Sequence, residues 1–322
     1  MMRATFHDQY GGPEVLSIRE IERPVPKDDE ILVKVMAATV NRTDCGFLTA
    51  RPFIVRFFTG MFGPKIPATG CDFAGTVEAV GKEVERFEVG DRVFGINDYI
   101  GSHAQYICVK SSIAVEKIPE GISFDKAVAS LEGGHYAYSD IKILDLKAGN
   151  KVLVNGATGA IGSAAVQILK DMGMQVTAVG TTKALELLRS LGAERVISYE
   201  EEDFTKTDDQ FVFIFDAVGK STFSKCKQLL TPKGTYISTE LGPNVQNIPL
   251  ALFTPLLGGR RVRFPLPLDQ HGSITYIKQL LEKGAFDAVI DRAYPLDQIR
   301  DAFAYVLSGQ KTGNVIIHPF EE

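Results

Sequence analysis

The sequence predicts an α/β protein of two domains, one a partly closed β-barrel and the other a doubly wound parallel sheet. Three observations carry this expectation. Short strands punctuated by Gly and Pro crowd residues 1 to about 125, strands and helices alternate from there to about 267, and the tail returns to the style of the first part. The barrel-like domain is therefore expected over 1–125 and 268–322, and the wound sheet over 126–267; a chain of 322 residues suits two domains better than one.

The elements follow in order. Met1 to Asp8 reads as the start of a strand, and Ile31–Val35, Gly75–Gly81, Gly90–Gly95 and Ala104–Val109 read as further strands. Lys151–Asn155 is a short apolar strand leading into a helix from Ala160, whose stripe of Ile161, Ala164, Ala165, Ile168, Leu169 and Met172 has helical spacing and stops at Gly173. Gln175–Val179, Arg195–Ser198, Phe211–Phe215, Thr235–Ser238 and Arg260–Phe264 are the remaining strands of the second domain, and Phe211–Phe215 is apolar throughout, as a strand buried on both faces must be. Lys183–Ser190 and Ser221–Leu230 are helices between them. In the tail, Ser273–Glu282 and Asp297–Leu307 are helices, and Ala288–Ile290 and Gly313–Ile317 are strands.

Composition removes several classes of function. Acids and bases are interspersed with a net charge of -5, so no basic footprint for nucleic acid exists. No apolar run approaches membrane-spanning length, and the N-terminus lacks a hydrophobic signal region, which makes the cytoplasm the expected compartment. Cys45, Cys71, Cys108 and Cys226 are scattered without metal-like spacing, so no structural zinc lobe is encoded and a reducing compartment fits.

The stretch Lys151 to Gly162 points to a ligand. A strand runs into a turn with glycine at 156, 159 and 162, and a helix follows. Such a turn lets the backbone approach a pyrophosphate closely, while the helix N-terminus aims its free N–H groups at the negative charge. Ala157 stands where the usual dinucleotide fingerprint has its first glycine; Gly159 and Gly162 keep the rest of the spacing.

With these residues the chain resembles the medium-chain dehydrogenase/reductases of the zinc-free quinone oxidoreductase branch. The resemblance runs through Tyr10–Leu16, Val40–Asp44, Gly70–Val77, Gly90–Gly95, Gly156–Gly162, Leu191–Ala193 and Phe215–Gly219, over nearly the whole length. It implies a GroES-like catalytic domain, completed by the tail, around an inserted Rossmann domain, with the active site in the cleft between them. It also implies a homodimer that pairs the sixth strands of two cofactor domains, for which Arg260–Phe264 is the candidate edge; its charge density fits equally an edge protected from pairing.

The cofactor is expected to be NADPH. An NAD site places Asp or Glu near the end of the second strand to accept from the ribose 2′-hydroxyl, whereas here Gly180, Thr181, Thr182 and Lys183 follow Val179 and no carboxylate occurs before Glu186. Two hydroxyls and an ammonium suit a 2′-phosphate. In similar proteins a tyrosine after the third strand also touches that phosphate, and Tyr199 matches it. Thr158, Gly159, Ala160 and Ile161 are expected at the pyrophosphate, and the resemblance implies Val218, Thr239, Leu241 and Asn314 along the rest of the cofactor.

No metal is expected. The positions that hold catalytic zinc in related alcohol dehydrogenases match Asn41, Cys71 and Glu132, a poor tetrahedral set. Without a Lewis acid, quinones and α,β-unsaturated carbonyls become the expected acceptors, because their charge delocalises. Asn41 is a catalytic candidate, as a donor to the carbonyl oxygen or a holder of the nicotinamide edge, or else a turn residue capping Thr43 or Asp44. Asp44 and Asp72 read as framework residues, and Cys71 either borders the nicotinamide or is a buried thiol. Tyr136 stands where similar proteins carry a small residue facing the nicotinamide; it supplies a phenolic donor, crowds the cofactor, or packs. His135 reads as a helix-surface or interdomain residue, or else as a proton relay. The five phenylalanines of residues 47–62 form a flap over the barrel or a lid on the substrate, and Arg51 and Arg56 are either solvated or partners for an anionic thioester carrier, the enoyl-thioester alternative. A low-turnover NADPH-binding sensor is the alternative outside enzymes.

Overall fold

The computed structural model describes residues 1–97 and 101–320, so the last two residues of the expected first domain lie outside the described ones. Two compact units emerge, one of residues 1–132, 270–282 and 288–322, the other of 133–269 and 283–287.

The first unit is built on strands. β1 (Met2–Phe6) and β2 (Ser17–Ile21) form an antiparallel pair. A seven-stranded sheet contains β3 (Glu30–Val40), β4 (Asp72–Val80), β5 (Arg92–Ile96), β6 (Tyr106–Lys110), β7 (Val115–Lys117), β14 (Ile290–Pro295) and β15 (Asn314–His318). Its order is β14-β15-β3-β4-β5-β7, with β6 also on β3. The long β3 pairs antiparallel with β4, β6 and β15, so the tail strand is bonded directly to the N-terminal framework. Helices α1 (Arg42–Thr49), α2 (Val55–Thr59), α3 (Phe124–Ala129), α9 (Gln270–Glu282) and α10 (Ile299–Leu307) complete the unit. Its core joins Val33 and Val35 of β3, Phe73 of β4, Leu48 of α1, and Phe303 and Val306 of α10.

The second unit is a six-stranded, wholly parallel sheet of β8 (Lys151–Asn155), β9 (Gln175–Gly180), β10 (Arg195–Ser198), β11 (Phe211–Asp216), β12 (Leu230–Ser238) and β13 (Arg261–Arg263). The spatial order β10-β9-β8-β11-β12-β13 reverses direction beside β8, which creates the crevice where doubly wound sheets take ligands. Helices α5 (Ala160–Asp171), α6 (Leu185–Ser190), α7 (Phe223–Cys226) and α8 (Asn247–Phe253) belong to it, and α4 (Leu131–Ile141) carries the boundary between the units. Phe211, Phe213 and Phe215 of β11 are fully buried, each burial contributing roughly 1.5–3 kcal/mol.

The structure adjusts three expected elements. The helix expected over 221–230 is only α7 followed by a tight turn at 227–229, and β12 already begins at Leu230. Pro232 and Gly234 therefore interrupt a strand rather than end a helix: the pairing with β11 slips between Phe211 and Phe213, which accommodates the missing N–H of proline. The strand expected at 288–290 starts at Ile290 and runs to Pro295, held by parallel pairing with β15. Lys183–Ser190 opens as a 3-10 turn and becomes α-helical only at Leu185.

Candidate functional site

In the second unit the glycine turn connects β8 to α5. Gly156 adopts φ +75°, and a Cβ there would strike Val218 at 2.6 Å. A Cβ on Gly162 would stand 2.2 Å from the Gly156 carbonyl, so this glycine lets α5 seat against the turn. Gly159 differs. Its nearest neighbour to an added Cβ is 3.7 Å away, so packing alone does not demand a glycine there. Gly159 is also the N-cap of α5, and no side chain caps that end. An added Cβ at Gly159 would make only ordinary contact, and the helix end is uncapped, which makes this turn, flanked by Thr158, Ala160 and Ile161, a candidate anion cradle.

Behind the turn, Asp216 is fully buried at the end of β11. It accepts from Asn155 Nδ2 at 2.9 Å, from the Ser221 N–H at 2.9 Å and from the Tyr236 hydroxyl at 3.0 Å. These bonds fix the carboxyl ends of β8, β11 and β12 relative to one another. Val218, Thr239 and Leu241 follow those ends; Val218 is exposed, and Thr239 and Leu241 are half-buried.

The expected 2′-phosphate residues Gly180 to Lys183 do gather with Tyr199, whose N–H donates to the Gly180 carbonyl at 3.1 Å. Thr181 Oγ1 is a buried polar atom without a hydrogen-bond partner. Lys183 and Tyr199 are exposed. No carboxylate follows Val179 along the chain before Glu186, but two reach this corner from beyond β10: Glu200 Oε2 accepts from the Thr182 N–H at 2.8 Å, and Glu201 Oε1 accepts from the Thr182 hydroxyl at 3.1 Å. Scanning along the chain after β9 missed them because parallel pairing with β10 brings residues 199–201 back to the same place.

In the first unit a buried polar cluster surrounds Asn41. Asn41 is 2% exposed and caps α1, with its own N–H donating to Asp44 Oδ2 at 2.8 Å. Asn41 Nδ2 donates to the Thr39 hydroxyl and to Asp72 Oδ2 at 3.2 Å. Asp72 also accepts from the Thr39 N–H at 3.0 Å and the Thr39 hydroxyl at 2.7 Å. Both side-chain N–H groups of Asn41 are thus engaged inside the cluster, the arrangement of a framework residue rather than a ready donor.

Charge in this cluster is strongly perturbed. Burial raises the Asp44 carboxyl above its usual range, and burial together with Asp44 raises Asp72 well above it. Burial, then Asp44, pushes Glu132 up to about 7, while Thr43 donates to Glu132 Oε1 at 2.7 Å. Glu132 Oε2 and Asp44 Oδ1 are buried without hydrogen-bond partners. Lys311 is lowered by burial and interacts with Glu132. Burial and mutual repulsion thus favour the protonated forms of these carboxyls. Burial and the neighbouring carboxylates push the Cys71 thiol well up, leaving it a thiol rather than a thiolate. His103 is fully buried and lowered by burial. Its Nε2–H donates to the Thr39 carbonyl at 2.8 Å, so neutral Nδ1 accepts from the Thr69 hydroxyl at 2.9 Å.

Asn314 is 2% exposed; Nδ2 donates to the Val289 carbonyl at 3.0 Å and Oδ1 has no hydrogen-bond partner. In the second unit, His135 is buried rather than on a helix surface, its Nε2–H donating to the Pro267 carbonyl at 3.0 Å, and Tyr136 meets it edge-on at 5.8 Å. The Phe-rich segment is exposed at Phe53, Phe57, Phe58 and Phe62. Arg56 lies over the Tyr10 ring at 4.8 Å and donates to the Met61 carbonyl at 3.2 Å, so it is less available to an anionic carrier than the sequence implied. Glu132 and Lys311 were missed as a pair; the signal was an acidic residue opening a Gly-Gly helix, legible only once the tail lay beside it.

Residues 27–120 match the alcohol dehydrogenase GroES-like domain model, and residues 191–317 match a model described as zinc-binding dehydrogenase. Among the described residues, no group of three or more His, Cys, Asp or Glu side chains is arranged to hold a metal ion. Asn41 offers only an amide already committed to Thr39 and Asp72, so Asn41, Cys71 and Glu132 together make a poor ligand set for zinc. The chain is 30% identical over 332 residues to the quinone oxidoreductase of Homo sapiens, covering 98% of each. It is 28% identical over 334 residues to an NADPH-dependent alkenal/one oxidoreductase of Arabidopsis thaliana, covering 99% of this chain and 80% of that protein. A quinone oxidoreductase structure from Coxiella burnetii superimposes with a TM-score of 0.87 at 25% identity, covering 99% of both chains.

Proposed function

The chain belongs to the quinone oxidoreductase-like branch of the medium-chain dehydrogenase/reductase superfamily, and we propose that it reduces quinones or α,β-unsaturated carbonyl compounds with NADPH and without zinc. The observation that carries this reading is the cradle at Gly159, a glycine that packing does not require at a helix end that no side chain caps.

When bound, NADPH supplies the hydride, and a proton completes the two-electron reduction of the acceptor. The α5 N-terminus with Thr158 to Ile161 holds the pyrophosphate, and Thr181, Thr182, Lys183 and Tyr199 meet the phosphorylated ribose. Val218, Thr239 and Leu241 flank the cofactor. The orphaned Oδ1 of Asn314 suits an amide N–H donor such as a carboxamide. Glu132, poised at about 7, keeps a proton available on a carboxyl oxygen at neutral pH. Asn41 positions Asp72 and Thr39, and Tyr136 is the candidate phenolic donor. A conjugated acceptor spreads the incoming charge, which removes the need for a Lewis acid. Homodimerisation through β13 and a cytoplasmic location belong to the same reading; exposed Leu252, Phe253, Leu256 and Leu257 near that edge strand and four free cysteines support them. No helix among the described residues is long and apolar enough to cross a membrane.

The test is NADPH oxidation by the purified chain against a panel of para- and ortho-quinones, alkenals, enones and crotonyl-CoA, with metal analysis on the same sample. Turnover of quinones or enones without stoichiometric metal is expected. NADPH binding with no oxidation by any acceptor would instead favour a binding protein, and preferential turnover of crotonyl-CoA an enoyl-thioester reductase.

A further inference from the structure

The corner beyond β9 is already filled by the protein's own charge. Ser198 of β10 lies in register with Gly180 of β9, so the chain leaving β10 emerges beside Thr181–Lys183. The Tyr199 N–H to Gly180 carbonyl bond at 3.1 Å fixes that juxtaposition. The next residue turns its side chain back: Glu200 Oε2 sits 2.8 Å from the Thr182 nitrogen and takes its proton as a hydrogen bond. Glu201 takes the Thr182 hydroxyl at 3.1 Å, and that hydroxyl also lies 2.6 Å from Ser198 Oγ. Both donors of Thr182 therefore face carboxylates. The Thr182 amide, with help from Lys183, holds the Glu200 carboxyl below its usual range, so it is ionised throughout the neutral region.

A 2′-phosphate on an adenosine ribose seeks the same groups: a backbone N–H, a hydroxyl and an ammonium. A carboxylate accepting from a turn N–H imitates one face of such a phosphate. We propose that Glu200 is an internal stand-in for the 2′-phosphate, which competes with NADPH for Thr182 and sets how far the chain prefers NADPH over NADH. The proposal rests on the dinucleotide reading given above. A phosphorylated ribose must push the Glu200 carboxylate off Thr182 and accept its negative charge nearby. A ribose with a free 2′-hydroxyl brings no charge to be repelled and does not need the Thr182 amide. Glu200 is exposed, so its side chain has room to swing away without disturbing the core. The carboxylate thus narrows a preference that Lys183 would otherwise make wide.

Glu200→Gln removes the charge and keeps the shape. Dissociation constants for NADPH, NADH, 2′,5′-ADP and 5′-AMP are measured by titration calorimetry on the full chain, with thermal melting as the folding control. NADPH and 2′,5′-ADP are expected to bind about five- to tenfold more tightly to E200Q than to wild type, with NADH and 5′-AMP changing less than about twofold. Glu200→Lys should extend the gain, and that gain should shrink as salt is raised. Unchanged or weaker NADPH binding in a folded E200Q protein would overturn the proposal. So would a selective loss of NADH and 5′-AMP binding, which would make Glu200 an acceptor for the ribose hydroxyls. Failure of the dinucleotide reading looks different: neither wild type nor E200Q would then bind any of the four probes, and the proposal would fall with it.

Discussion

The Asp216 carboxylate accepts the Asn155 side-chain amide at 2.9 Å, joining the ends of β8 and β11 directly behind the glycine turn. Its other oxygen collects the Ser221 N–H and the Tyr236 hydroxyl, and all of this is buried. Asp216→Ala would strand three donors in the interior, a loss of about 3 kcal/mol or more. Asp216→Asn keeps the volume and one acceptor oxygen, so it should cost about half as much. Urea unfolding of both variants checks the order; an alanine variant within about 1 kcal/mol of wild type would mean that water replaces the carboxylate.

Two glycines of one turn should behave oppositely. Gly162→Ala forces a Cβ to 2.2 Å from the Gly156 carbonyl, a backbone atom that cannot yield cheaply, so a stability loss of about 2–4 kcal/mol is expected together with lost NADPH binding. Gly159→Ala meets nothing closer than 3.7 Å and should fold with a loss of about 1 kcal/mol or less at the N-cap. Its NADPH affinity should nevertheless fall about tenfold or more, because the methyl enters the space kept for the phosphates. Parallel melting curves and binding titrations separate the two; a G159A protein with wild-type affinity would remove the cradle from the binding site.

The same contrast explains what the sequence could reveal. β11 and the 156–162 turn were legible because their causes are local: a short unbroken apolar run within a strand–helix alternation fits a buried strand, and glycine spacing declares a tight turn. That the six strands pair in parallel followed from the strand–helix alternation. Glu200 on Thr182 was not legible, because it depends on strand register rather than on proximity along the chain. The Asp44–Asp72–Glu132–Lys311 cluster was hidden for a stronger reason. Its members come from α1, β4, the start of α4 and the loop before β15, and only tertiary packing makes them share protons. Pro232 misled in the other direction, since a proline that ends helices is also tolerated where a ladder slips.

Glu132 gives a pH dependence of definite sign. Its carboxyl titrates at about 7 in the folded chain against an ordinary 4.5, because burial and Asp44 oppose ionisation. Between those two values the folded state holds a proton that the unfolded chain has released, so stability falls as pH rises through the window and levels off above it. The full effect is at most about 3 kcal/mol, reduced by sharing among the coupled carboxyls. Glu132→Gln, which keeps the acceptor for Thr43, should therefore be more stable than wild type at pH 8 by about 1–3 kcal/mol and nearly equal to it at pH 4.5. Asp140, raised by burial to about 8, titrates in an overlapping range, so the comparison is made as the difference between variant and wild type at each pH. A difference that does not vary with pH would place Glu132 in solvent-like surroundings.

The Thr39 hydroxyl bridges Asn41 and Asp72, which turns the role of Asn41 into a question with a measurable answer. If Asn41 acts by holding the cluster, then Thr39→Val, which removes only the bridge, should reproduce most of the effect of Asn41→Ala. Both variants are expected to lose about 1–2 kcal/mol of stability and to lower kcat/KM by about three- to tenfold, through a modest rise in KM together with a modest fall in kcat. The double variant should be little worse than either single one, because the three side chains form one network. If instead Asn41 donates directly to the reacting carbonyl, N41A alone would depress kcat by about a hundredfold while T39V stayed near wild type. The structure favours the first outcome, since both N–H groups of the Asn41 amide already have acceptors within the protein.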